Sequence, residues 1–340
     1  MKAMKPVAWA CILLAATLSI GGCNGQFGNW PQAHYERTVA LQHAMADGST
    51  LGVSTASGSI DVEGLEVTEA RVVATIRGQA PTEEEAKELA EATKIRFEPV
   101  GDRVTIRANT PGTGGRRSVS ISYRIVVPRR TSVECDSASG SIETANLQGS
   151  VRATAASGSV TGEAIHGGSV HMGAASGSVR LSNASELGSC ELRSSSGRAS
   201  GEHIQADHIR MSSSSGSVEL RDARAQEIDL RSSSGSVNGR DVDCSRLTAE
   251  SASGRSTVEF SPSAPPNVTA EVTSISGSAT VVAPAGFAGR VEMSTTSGSV
   301  QCDLPLTVQG RMNHRHLSGT VGQGTGSLTL RTTSGSVRIQ

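Results

Sequence analysis

A Ser-Gly dipeptide returns along most of this chain at a nearly fixed interval. Its glycines stand at 58, 140, 158, 177, 197, 216, 235, 254, 277, 298, 319 and 335. From Gly140 to Gly254 the interval stays between 18 and 20 residues, and thereafter it reads 23, 21, 21 and 16. A flexible serine-glycine linker has no reason to keep a period, whereas a stack of structural repeats does.

The columns around each glycine carry more than the spacing. Seven residues before it stand Leu51, Val133, Val151, Val170, Cys190, Ile209, Ile228, Leu247, Ala270, Val291, Met312 and Leu328. Five before it the chain is again mostly apolar, as at Val53, Leu192, Met211 and Leu230, and two after it come Ile60, Ile142, Val160, Val179, Val218 and Val237. Polar residues such as Arg210, Asp229 and Arg231 fall between. This period of two belongs to strands with one face buried. A further apolar residue seven after the glycine (Leu147, Ile165, Ala184, Ile204, Ala223, Val242) marks a third, shorter inward side.

One coil cannot bury its own apolar side, but a stack shares a continuous core. The expected fold is therefore all-β: a parallel β-solenoid, or β-helix, of about 19–21 residues per coil, with one short helix near the N-terminal end. At ~4.8 Å per coil the repeat makes a rod on the order of 50 Å long. Aromatic residues are only 2% of the chain, which calls for a narrow interior.

The parity shifts by one at Ser-Gly, so the dipeptide reads as a bend, with glycine supplying unusual backbone angles. Counting back in twos places the serine before each glycine inward. The column Ser139, Ser157, Ser176, Ser196, Ser215, Ser234, Ser253, Ser276, Ser297, Ser318 and Ser334 is thus expected to be a buried structural ladder, each hydroxyl bonded to the next coil. A row of exposed hydroxyls for sugar or ice binding needs the opposite parity.

Residues 1–22 read as a lipoprotein signal peptide. Lys2 and Lys5 precede a short apolar stretch that ends in Ile20-Gly21-Gly22-Cys23. Small residues before a cysteine resemble the bacterial lipobox, so Cys23 is the expected lipid attachment site. Two or three acyl chains suffice for stable anchoring. Asn24 stands where an aspartate resembles an inner-membrane retention signal, which favours the outer membrane in a Gram-negative cell. Residues 23–35 form a tether, 36–130 an N-terminal strand and helix segment, and 131–340 the repetitive solenoid. In the second segment Thr82 and Glu85 form a capping box that opens a helix with an apolar face of Ala86, Leu89 and Ala90. A hairpin turns near Gly101-Asp102. The helix is positioned to cover the N-terminal end of the stack, whereas the chain ends in SVRIQ with no evident cap, an exposed edge open to self-association.

The Ser-Gly-Ser-Ile strand, the Thr-Glu-Glu-Glu helix, the strand ending Tyr123-Arg-Ile-Val-Val-Pro128 and the coils that follow resemble the bacterial "putative adhesin" family of β-strand-repeat envelope proteins, over about residues 36–340. The resemblance implies a β-solenoid in the cell envelope and carries no catalytic residues. Serine follows most motif glycines here, where an acidic residue is common in that family.

Little else in the sequence points to chemistry. A formal net charge of −1 gives no footing for nucleic acid. Cys135, Cys190, Cys244 and Cys302 fall in non-adjacent coils, beyond disulfide reach, and are expected as free thiols. His314 and His316 replace inward residues of one coil without a third ligand, so no metal or cofactor is expected. Asp241 and Asp243 are the nearest approach to the clustered acids of polysaccharide-cleaving solenoids. No nucleophile elbow, phosphate loop or HExxH occurs. The expectation is a non-enzymatic, lipid-anchored envelope protein, adhesin-like or scaffolding, with an envelope protein or a glycan as partner. The alternative is a carbohydrate-binding or polysaccharide-active β-helix.

Overall fold

Apolar residues at every second position can share one core only if successive coils stack in register, and that is the arrangement found. The computed structural model describes residues 32–112, 115–308 and 313–340. The signal segment and Cys23 lie outside these residues. Neighbouring coils pair in parallel with like above like: Val218 sits opposite Val237, Ile228 opposite Leu247 and Leu230 opposite Ala249. The fold is an all-β solenoid, with one helix among the described residues.

Each central coil has three sides. The strands Val179–Ser194, Ala199–Ser213, Val218–Ser232 and Val237–Ser251 each run from one Ser-Gly bend around to the next. Six residues after the glycine the chain turns a second corner through a left-handed residue. Asn146, Ala164, Asn183, His203, Asp222 and Asp241 all have φ between 46° and 58°. Asn and Asp tolerate this region better than other side chains.

The core follows the predicted columns. Ile209, Met211, Val218 and Ile204 are buried, as are their counterparts in neighbouring coils. Four residues after the bend, small and large alternate up the stack: Gly162, Leu181, Gly201, Leu220, Gly239, Val258. A Cβ at Gly201 would lie 2.7 Å from Ile204 Cδ1 and 3.1 Å from Leu220 Cδ1. Large side chains thus fill the space their glycine neighbours leave.

The motif glycines are required for a reason other than the one the sequence suggests. Of these bends only Gly58 has a positive φ, at 119°. At the others, Gly319 excepted, a Cβ would point along the rod axis into the neighbouring glycine of the stack. It would stand 2.0 Å from the Gly158 carbonyl oxygen at Gly177 and 2.2 Å from that of Gly216 at Gly235. The glycines form a close-stacked ladder with no room for a side chain between coils.

At the N-terminal end the chain order and the spatial order differ. The elements are β1 (Ala33–Ala44), β2 (Thr50–Ser57), β3 (Ile60–Leu65), β4 (Glu69–Ala80), α1 (Glu83–Ala92), β5 (Lys94–Val100), β6 (Arg103–Asn109) and β7 (Ser118–Pro128). The first Ser-Gly coil, β2 and β3, is flanked below by β6 and β7 and above by the Gly140 coil. Antiparallel strands then finish the edges: β5 on β6, β4 on β7, and β1 on β4. Helix α1, capped by Thr82 Oγ1 accepting from the Glu85 amide, lays Ala86, Leu89 and Ala90 over the inward face of β1 and β4. Helix and sheet approach closely at Gly78, where a Cβ would be 2.2 Å from the Ala86 carbonyl oxygen.

The C-terminal end corrects the sequence reading. The last strand, Val337–Ile339, is no free edge: it lies between Ala279–Val282 and Val300–Cys302. The Gly298 coil is outermost, although it comes earlier in the chain. After it the chain returns antiparallel as His316–Val321 along Gly289–Ser297, and the final coil then slots in beneath. The Gly319 motif therefore belongs to this return strand and makes no coil.

Candidate functional site

The bend is where inward and outward chemistry meet, and its geometry reverses the expected serine column. Alternation holds through position −3 and stops there. Residues −2, −1, Gly and +1 form the corner, while the −2 and −1 amides continue the ladder to the coil below, as in Ser214 N–H to Ser194 O and Ser215 N–H to Ser195 O. Ser139, Ser157, Ser176, Ser196, Ser215, Ser234, Ser253, Ser276, Ser297 and Ser334 are consequently exposed. Ser318 is half-buried on the return strand opposite Glu292. None of the eleven hydroxyls bonds to another described group.

The buried ladder sits two residues earlier. The hydroxyls of Ser194, Ser213, Ser232, Ser251 and Ser274 each accept the amide of their own coil's glycine at 2.8–2.9 Å. Each also donates to the glycine carbonyl of the coil below at 2.8–2.9 Å. Thr332 and Thr295 extend the series, donating to Gly277 O at 2.7 Å and Gly335 O at 2.9 Å. Each of the five serine hydroxyls satisfies two backbone groups that the tight corner takes from water, and each threonine satisfies one. Ala155 and Ala174 interrupt the ladder below Ser194, and the buried Ser137 hydroxyl has no partner.

The remaining candidates resolve plainly. Asp241 is a left-handed corner residue, and Asp243 is held by Arg224 at 3.1 Å and Ser263 at 3.3 Å. Asp241 stands beside Asp222, which holds the same corner in the adjacent coil. His314 and His316 do not face inward, because their segment is the return strand; both are exposed. Among the described residues no group of three or more His, Cys, Asp or Glu is placed to hold a metal. Cys135, Cys190, Cys244 and Cys302 are free. Burial pushes the thiols of Cys190 and Cys244 up to about 12 and that of Cys135 higher still, which disfavours the thiolate at all three.

Outward residues make two polar faces. On the side before the bend, charges pair along the stack: Arg210 and Arg231 meet Asp229, Arg231 also meets Glu250, and Arg331 meets Glu292. His171 and Arg193 both contact Glu191. On the side after the bend hydroxyls, amides and arginines stand among carboxylates such as Glu143, Glu202, Glu219 and Glu259. Shallow clefts there are lined by Arg180, Ser200, Glu202, Glu219 and Arg221, and by Ser236, Asn238, Arg240 and Arg255. Parity reasoning identified both faces as polar but gave no means of finding the clefts, which arise where bend and strand meet across coils.

Residues 168–340, just over half the chain, match the Toastrack DUF4097 family. The chain belongs to that family. Its coils are thus Toastrack coils, and the resemblance read from the sequence agrees with them. A solved "putative adhesin" from Parabacteroides distasonis is 15% identical, with 89% of this chain and 97% of that one covered and a TM-score of 0.44. A "putative lipid binding protein" from the same organism is 13% identical, covering 89% and 96%, with a TM-score of 0.43. A "putative cell adhesion protein" from Clostridium sporogenes is 12% identical, covering 89% and 99%, with a TM-score of 0.25. No curated protein matches the Toastrack chain.

Proposed function

We propose that this protein is a non-enzymatic, lipid-anchored module of the cell envelope, adhesin-like or scaffolding, that presents a solenoid rod to a partner. The observation that carries the reading is the division of labour at the bend. Stability comes from an inward hydroxyl and glycine ladder, which leaves the outward serine edge and the polar face beside it free of structural duty. The lipobox ending at Cys23 supports the anchor, and a Gram-negative host would place it at the outer membrane. No helix among the described residues is long and apolar enough to cross a membrane.

Glycan binding gains weight as the partner class, because the serine edge has the outward parity which that reading requires. Labelling cells with a palmitate analogue, followed by protease shaving, tests the placement. Wild type is expected to label and Cys23→Ser not to, with the rod accessible from one side of the envelope. A Cys23→Ser protein that still labels, or sustained polysaccharide turnover by the pure protein, would contradict the proposal.

A further inference from the structure

Arginines after the bend are of two kinds: Arg198 and Arg338 reach Glu219 and Asp303, and others reach no carboxylate among the described residues. Before the bend, Arg193, Arg210, Arg231 and Arg331 each reach a carboxylate. After the bend, Arg221, Arg240 and Arg255 are exposed and make no ion pair among the described residues. Arg221 and Arg240 stand directly opposite each other in adjacent strands, and Glu202 stands opposite Arg221 on its other side. Like charges in that position repel and cost stability, and no carboxylate lines the cleft holding Arg240 and Arg255. Around these two arginines the lining offers the hydroxyls of Ser236, Thr257 and Ser278 and the amide of Asn238.

We infer that this cleft, over the Gly235, Gly254 and Gly277 coils, binds a carboxylate-bearing polysaccharide of the uronate type. Guanidinium groups recognise carboxylates through two parallel hydrogen bonds, and the hydroxyls and amide suit sugar hydroxyls. Arg240 and Arg255 belong to adjacent coils, a ~4.8 Å step apart along the stack, and to different columns, so the two guanidiniums offer two separate points of contact to one charged chain. Nucleic acid would call for aromatic stacking platforms, and none lines the cleft. A lipid surface would call for an apolar rim, and the lining is polar. The inference deepens the envelope-module reading by naming its ligand class, but binding in solution does not depend on where the protein resides.

Calorimetry of the full-length chain in detergent with oligogalacturonate tests it. Binding is expected that weakens with salt, is absent for the fully methyl-esterified oligomer, and falls about tenfold or more in Arg240→Gln/Arg255→Gln. Arg152→Gln, an exposed arginine on the other face, should bind as wild type. Arg240→Lys, which keeps charge and fold but loses the bidentate fork, should bind severalfold more weakly. No binding, equal binding of the methyl ester, or unchanged affinity in the double variant would overturn the inference. So would phosphatidylglycerol vesicles proving the only probe lost with these arginines. Failure here leaves the palmitate and shaving results standing, and failure there leaves this binding intact.

Discussion

Ser232 and Ser234 differ by two positions and stand on opposite sides of a wall. Ser232 satisfies the Gly235 amide and the Gly216 carbonyl at once, whereas Ser234 bonds to nothing described. Removing a buried partner leaves the desolvation cost unmet, about 1–3 kcal/mol. Ser232→Ala should therefore lose about that much in urea unfolding, and Ser234→Ala should fall within about 0.5 kcal/mol of wild type. Equal losses would mean that the ladder is misplaced. The second corner offers a gain. Ala164 holds φ 52° where Asn146 and Asn183 stand in neighbouring coils, and a left-handed alanine costs on the order of 1 kcal/mol. Ala164→Asn should stabilise by about 0.5–1 kcal/mol on thermal melting, and a lower melting temperature would contradict the strain. Why the sequence misled at −1 is clear from these residues. Valine and isoleucine declare their side of a strand by their need for burial, but serine is at home on either. The sequence showed a shift of parity without showing at which residue the corner begins. Ala155, Ala174 and Ser194 share the inward −3 column, and only the coordinates show that Ser194 bonds there.

Between elements, the question is how a stack of strands ends without recruiting more strands. Both ends use the same device: the coil that closes the stack is made in mid-chain, and antiparallel strands cover its edge. β5 carries Pro99 and the charges Lys94, Arg96 and Glu98, and the C-terminal return begins with the two-residue strand Thr307–Val308 just after Pro305. Leu317 and Val321 pin that return strand to the core. Leu317→Arg should detach it and bare the edge of Gly289–Ser297, giving concentration-dependent association in light scattering. A variant that stays at the wild-type mass at all concentrations would show that the return strand is no cap. Strand existence, the Thr82 cap, the helix and the hairpin at Gly101 were all legible, because local pattern and turn chemistry encode them. Strand order at the ends was not, since a parallel strand is equally compatible with any neighbour of the same column. The one trace was irregularity: intervals of 23, 21, 21 and 16, with His314 and His316 in columns that elsewhere hold apolar residues.

The whole molecule is a rod whose stability is internal and whose outer faces are free for recognition. Everything proposed about binding depends on coils stacking as described, with the −1 serines outward and the last two coils exchanged in order. Spin labels read both features together. Among the described residues the native thiols are buried except for the half-buried Cys302, so a Cys11→Ala/Cys23→Ala/Cys302→Ala background carrying Ser157→Cys and either Ser297→Cys or Ser334→Cys gives clean pairs. Gly335 stacks on Gly277, and Gly298 on Gly335. Counted along that ladder at ~4.8 Å per step, Ser334 lies about 34 Å from Ser157 and Ser297 about 38 Å. Efficient labelling of the folded protein, with Ser334 nearer to Ser157 than Ser297 is, is the predicted result of a double electron–electron resonance measurement. A solenoid wound in simple chain order puts Ser334 the farther of the two by about 10 Å, and that distance, or serines that resist labelling, would contradict the account.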